Sequence, residues 1–213
     1  TGIRTFCPDN VNGNWKGRIN LGLITPLDKK KALVLQAVLG ANYRRNVDFV
    51  GLNGNAASRS VVKTSGLQEN VSLQWRLGKS SLSFKSKGDW GYTTSTRQDF
   101  QPFNAININN GLTAQVLLPW KFQLGTDLTL YSRRGYADKE MNTDDFVWNA
   151  RLSRSFFKGR ILAMIDGFDI LGQLNNITRM MNAQAITETY SNVIPRYVMF
   201  HISYKLKTMP KKK

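Results

Sequence analysis

Polar and apolar residues alternate along most of this chain with a period of two. Between Asp144 and Ser153, Phe146, Trp148, Ala150 and Leu152 alternate with Val147, Asn149, Arg151 and Ser153. Successive side chains therefore leave opposite faces, as in a strand and unlike a helix stripe. The turn Phe157-Lys158-Gly159-Arg160 leads into a second apolar segment, Ile161 to Leu171, whose two faces are both apolar and so cannot be oriented by pattern. The closing segment sets Val198, Phe200, Ile202 and Tyr204 against Tyr197, Met199, His201, Ser203 and Lys205.

The same alternation runs through the earlier chain. Trp15, Ile19, Leu21 and Leu23 oppose Lys16, Arg18 and Asn20, and Leu33, Leu35, Ala37, Leu39, Ala41 and Tyr43 continue as a second strand. Val71, Leu73, Trp75 and Leu77 oppose Ser72, Gln74 and Arg76. Leu82 and Phe84 face away from Lys85, Lys87 and Asp89, with Trp90 and Tyr92 beyond them. Leu112, Ala114, Val116 and Leu118 form a fifth set, and Phe122, Leu124, Leu128 and Leu130 oppose Gln123, Asp127, Thr129 and Tyr131. About nine strands are predicted, all antiparallel, since each short turn simply reverses the chain.

The connections alternate in length. Short turns fall near residues 26, 79, 120 and 158, and long polar connections near 55, 98, 138 and 180. Residues 45–65, rich in Asn, Gly, Ser and Ala, read as a loop, and Gln173 to Asn192 as a long excursion. This asymmetry is characteristic of transmembrane β-barrels of outer membranes, with short periplasmic turns and long extracellular loops. No segment reaches the roughly 18 apolar residues of a membrane helix. In a barrel the apolar faces would meet lipid and the faces carrying Lys16, Arg18, Gln74, Arg76, Lys85, Lys87, Asp127, Asn149 and Arg151 would meet a wet lumen. Trp15, Trp75, Trp90, Tyr92, Trp120 and Phe157 fall near strand ends, where aromatic girdles lie.

Composition narrows the chemistry. The net charge is +16, and there is one cysteine and one histidine. Cys7 excludes an internal disulfide and a cysteine-rich metal site. His201 has no oriented nucleophile or carboxylate beside it in sequence, so no catalytic role is expected and no cofactor is implied. A basic stripe could serve nucleic acid, but Trp and Phe lie on the face opposite the Lys and Arg, which disfavours base stacking. Asp138, Glu140, Asp144 and Asp145 match no calcium loop. Arg133, Arg134 and Tyr136, in Ser132 to Tyr136, and Asp166 and Asp169 of DGFDILG are candidate lumen or loop contacts for substrate, and the two aspartates could alternatively bond loop or plug backbone. No charged-then-apolar leader opens the chain, the expectation for a mature form or a fragment of an exported protein.

Three stretches, NVNGNWKGRINLGLITPLDKKK, TDLTLYSRRGYADKEMNTDDFVWNARLSRSFFKGR and DGFDILGQLNNITRMMNAQAITETYSNVIPRYVMFHISYKL, resemble the carboxy-terminal barrel portion of TonB-dependent transporter-like outer-membrane proteins of Bacteroidota. The resemblance covers most of residues 10 to 206. It implies residues 1–13 as an extracellular loop remnant, 14–206 as the last strands of a plugged barrel of about 22 strands, and 207–213 as a basic periplasmic tail. It further implies an outer-membrane location and a role in nutrient uptake, with a plug and upstream strands beyond the present sequence. An inner-membrane energy-coupling protein and the barrel-assembly machinery would be partners, and Phe200, Ile202 and Tyr204 the assembly signal. A structural or adhesive barrel is the alternative.

Overall fold

The computed structural model describes residues 10–50, 57–97, 100–137, 139–174, 176–181, 186–192, 194 and 196–206. Expectations placed on residues 1–9 with Cys7, on Asp138 and on the basic tail 207–213 lie outside the described residues. The fold is all-β. Eleven strands follow in order: β1 (Trp15–Pro26), β2 (Leu33–Val50), β3 (Ser58–Leu77), β4 (Ser80–Ser95), β5 (Phe103–Leu117), β6 (Phe122–Arg134), β7 (Asp144–Phe156), β8 (Ile161–Phe168), β9 (Asn176–Met181), β10 (Ile186–Ser191) and β11 (Tyr197–Tyr204). Nine of them form one antiparallel sheet in the order β1-β2-β3-β4-β5-β6-β7-β8-β11, and β9 and β10 pair separately. The sheet is not closed: β1 and β11 are its edges.

Two sequence expectations change. Residues 45–65 are largely strand, because β2 runs to Val50 and β3 starts at Ser58, with Asn46 to Val50 paired to Val62 to Ser58. Asn and Asp are poor strand formers locally, but the two segments supply each other's ladder, and context outweighs propensity. The excursion after Gln173 likewise holds the antiparallel pair β9–β10.

Register fixes the faces. Leu33, Trp75, Leu82, Ala114, Thr126, Ala150, Gly167 and Val198 stand in one cross-strand row from β2 to β11. Neighbours in a row share a face. The opposite face holds rows such as Val34, Gln74, Ser83, Thr113, Asp127 and Asn149. Pairing with β11 also orients β8: Ile161, Ala163 and Ile165 join Tyr204, Ile202 and Phe200 on the apolar face, and Leu162, Met164 and Asp166 oppose Ser203, His201 and Met199.

No second layer covers the apolar face among the described residues. Ile19, Leu21, Leu67, Phe200 and Ile202 are all more than half exposed. What is buried gathers toward the long-connection end, where Val62, Thr93, Ala105 and Val147 lie on the polar face and Tyr136 joins them. The turns are locally specified. Gly78, at φ +62°, occupies the two-residue hairpin between Leu77 and Ser80, where a positive φ favours glycine. Asp28 gathers the first turn by accepting from the Leu33 amide at 2.7 Å and the Lys30 amide at 3.2 Å.

Candidate functional site

The polar face carries three linked features, each built by register. The first is a hollow over β3–β5. Gly66, Gly91 and Ala105 stand in one row, and Asn42 completes it on β2. Three small residues side by side leave a depression of about 420 Å³. Gln68, Asp89 and Asn107 rise from the next row on one side, and Thr64, Thr93 and Phe103 from the row on the other. Tyr136 closes one flank, its hydroxyl donating to Asn107 Oδ1 at 2.9 Å. Asn142 holds that loop, accepting from the Tyr136 amide at 3.0 Å and donating to its carbonyl at 3.1 Å. The wall is rich in hydroxyl and amide groups, a lining that hydrogen-bonds neutral polar solutes.

The second feature lies at the ends of β6 and β7. Arg133 Nη1 pairs with Asp145 Oδ2 on the polar face and also donates to Thr143 Oγ1 at 3.0 Å. Arg134 pairs with Asp144 at 2.5 Å on the opposite face. The two arginines named as candidate substrate contacts are each paired with a neighbouring carboxylate, and of that trio Tyr136 lines the hollow. Asp144 and Asp145 thus serve as arginine partners.

The third feature is a charged cluster on β7, β8 and β11. Asp166, whose side chain is 3% exposed, binds Arg151 Nε through Oδ1. His201 Nε2 stands 3.0 Å from Oδ2 without the alignment of a hydrogen bond, and this buried oxygen accepts none among the described residues. Asn149 Nδ2 donates to Asp127 Oδ2 at 2.8 Å nearby. Asp169 is set apart from this group. It gathers the loop after β8, accepting from the Gln173 and Leu174 amides at 3.0 Å, while its own amide donates to Asn149 Oδ1 at 2.8 Å. Asp169 is thus a loop-backbone acceptor, whereas Asp166 is held by Arg151.

Sequence reasoning did not find the hollow or the contact between Asp166 and His201. Both depend on register: the glycines are spread over β3 and β4, and Asp166 and His201 are 35 residues apart in sequence. Phe200, Ile202 and Tyr204 lie on the apolar face of edge strand β11, each more than half exposed. No group of three potential metal ligands occurs among the described residues, and no helix there is long and apolar enough to cross a membrane. The chain matches no family model, no curated protein and no solved structure.

Proposed function

We propose that this chain forms part of the wall of an outer-membrane β-barrel, with its apolar face against lipid and its polar face lining an aqueous interior. One observation carries this reading: a single sheet presents a continuous apolar face, from Ile19 on β1 to Ile202 on β11, with nothing packed on it among the described residues. In water such a face, far larger than a few hundred Å², would drive association; in hydrocarbon it is the stable arrangement. Two indole donors on this face are satisfied across strands, Trp148 Nε1 by Thr126 Oγ1 at 2.9 Å and Trp90 Nε1 by Asn104 Oδ1 at 2.7 Å. A lipid-facing donor needs such a partner because hydrocarbon supplies none.

Within that reading, the resemblance to TonB-dependent transporter-like barrels assigns the polar face to nutrient uptake. The open edges β1 and β11 would pair with further strands, and the amide-lined hollow would contact the solute in transit. Phe200, Ile202 and Tyr204 would present the terminal strand to the assembly machinery. A structural or adhesive barrel would share the lipid face, and solute-dependent uptake by the barrel separates the two roles.

The membrane reading is tested by reconstitution into vesicles carrying brominated acyl chains. Strong quenching of the fluorescence of the apolar-face tryptophans, Trp15, Trp75, Trp90 and Trp148, is expected. A chain that stays monomeric in plain buffer, with its tryptophans unquenched by lipid, would overturn it.

A further inference from the structure

The edge of the sheet formed by the short turns carries a charge imbalance that the other edge lacks. Between and beyond the strands there, residues 27–32, 78–79, 118–121, 157–160 and 205–206 supply Lys29, Lys30, Lys31, Lys79, Lys121, Lys158, Arg160 and Lys205 against the single acid Asp28. At the opposite edge, the described residues outside strands carry Arg97, Lys139 and Arg196 against Glu140 and Asp169. All eight short-turn cations are exposed, and none is in an ion pair among the described residues. Uncompensated like charges repel one another, so so dense a cationic edge suits an anionic surface.

Backbone conformation at two of the turns supplies a second, independent observation. Trp120 and Lys121 sit at φ +57° and +63°, and Phe157 and Lys158 at φ +50° and +55°. Four non-glycine residues in the left-handed region run against steric preference, and Asn-Gly would suit such hairpins better. Both turns nonetheless use the same pair, an aromatic followed by a lysine. Their rings are not packed into the protein: Trp120 is 79% exposed and Phe157 73%. Strained positions that persist point to a role outside the turn itself. Beside Phe157, Lys158, Arg160 and Lys205 line an open hollow of about 520 Å³, and the Lys205 amide, donating to the Arg160 carbonyl at 2.8 Å, ties the end of β11 to that turn.

We propose that the short-turn edge is a seat for anionic phospholipid headgroups. The rings of Trp120 and Phe157 enter the boundary between headgroups and acyl chains, where aromatic side chains are favoured. Lys121, Lys158, Arg160 and Lys205 meet the phosphates, with the remaining lysines adding attraction that falls off over a Debye length. The inference rests on the apolar face being lipid-facing and adds to it a preference for lipid charge at one leaflet.

The test is association of the detergent-folded chain with vesicles of phosphatidylcholine alone and of phosphatidylcholine with phosphatidylglycerol, each at low and high salt. About tenfold stronger association with the anionic vesicles is expected, with the difference lost at high salt. Combining Lys121→Glu, Lys158→Glu and Arg160→Glu should abolish the preference. A second variant, Trp120→Asn, Lys121→Gly, Phe157→Asn and Lys158→Gly, relieves the turns and so keeps the fold while weakening the preference, with circular dichroism confirming strand content. Equal insertion into both compositions overturns the headgroup seat and leaves the membrane reading standing. Failure to insert into either overturns both. Tighter binding to duplex DNA than to the anionic vesicles overturns the seat in favour of a nucleic-acid surface.

Discussion

Ser86 Oγ donates to Glu69 Oε1 at 2.8 Å in the middle of the apolar face. Glu69 lies between Leu39 and Gly88 in its row, and Ser86 between Val71 and Asn110 in the next. This small polar island sits among Leu, Ile, Val and aromatic residues, away from the Arg134–Asp144 pair at the strand ends. Carboxylates facing hydrocarbon are costly, so Glu69→Leu is expected to stabilise the reconstituted protein by about 1–2 kcal/mol. Denaturant unfolding from lipid vesicles measures this. Destabilisation on replacement would show that the face meets something polar there.

Gly135 makes a turn at φ +85°, and a Cβ built there would come within 1.8 Å of the Asn104 carbonyl oxygen. Gly135→Ala must push the loop after β6 away from β5. The expected cost is about 2–3 kcal/mol, from the conformational strain and the displaced contacts. Loss of the Tyr136 to Asn107 bond should accompany it, read by weakened protection of Tyr136 against chemical modification. A variant as stable as the parent would sink this account of the loop.

Replacing Arg151 with Leu leaves the buried Asp166 carboxylate without its cationic donor. A loss of about 1–3 kcal/mol is expected, since an unmatched buried polar group pays its desolvation cost. The double variant Arg151→Leu with Asp166→Leu should recover much of it, because the orphaned charge is then gone. Thermal unfolding in detergent of the two single variants and the double variant decides the matter. Additive losses would mean that the two side chains are not coupled.

Asp28 is held below the ordinary carboxylate value, chiefly by the Leu33 backbone amide, with the Ala32 and Lys30 amides adding to it. A depressed folded-state pKa favours folding above the unfolded value, and that contribution disappears as pH falls through the folded one. The first turn should therefore be indifferent to pH near neutrality and loosen below about pH 4. Asp28→Asn should flatten this acid dependence, as monitored by amide exchange at Leu33. An unchanged acid profile in that variant would refute the assignment.

Much of this arrangement is legible in the amino-acid pattern, and what escaped has a common cause. Alternation at Phe146 to Leu152 or Val71 to Leu77 identifies both strand and face, because period two is a property of a few consecutive residues. Gly78 and Asp28 mark turns through local chemistry. By contrast, Asn46 and Ser60 are strand because β2 and β3 pair with each other there, and β8, apolar on both sides, is oriented by its pairing with β7 and β11. The candidate site suffers most from this. Gly66 and Gly91 look like ordinary weak points of two strands until register sets them side by side. Arg133 and Arg134 look free until β7 brings Asp145 and Asp144 against them.

The length of the β2–β3 hairpin has one more consequence. At about 3.3 Å per residue a 20-residue β3 extends some 65 Å, whereas a tilted strand crosses a bilayer in about 9–11 residues. With its apolar stretch in the membrane, the half of β3 from Ser58 to Gly66 would rise above the lipid surface as a rigid parapet. Anything approaching from outside would meet that parapet, lined with Ser60, Thr64 and Lys63, well before it reached the bilayer.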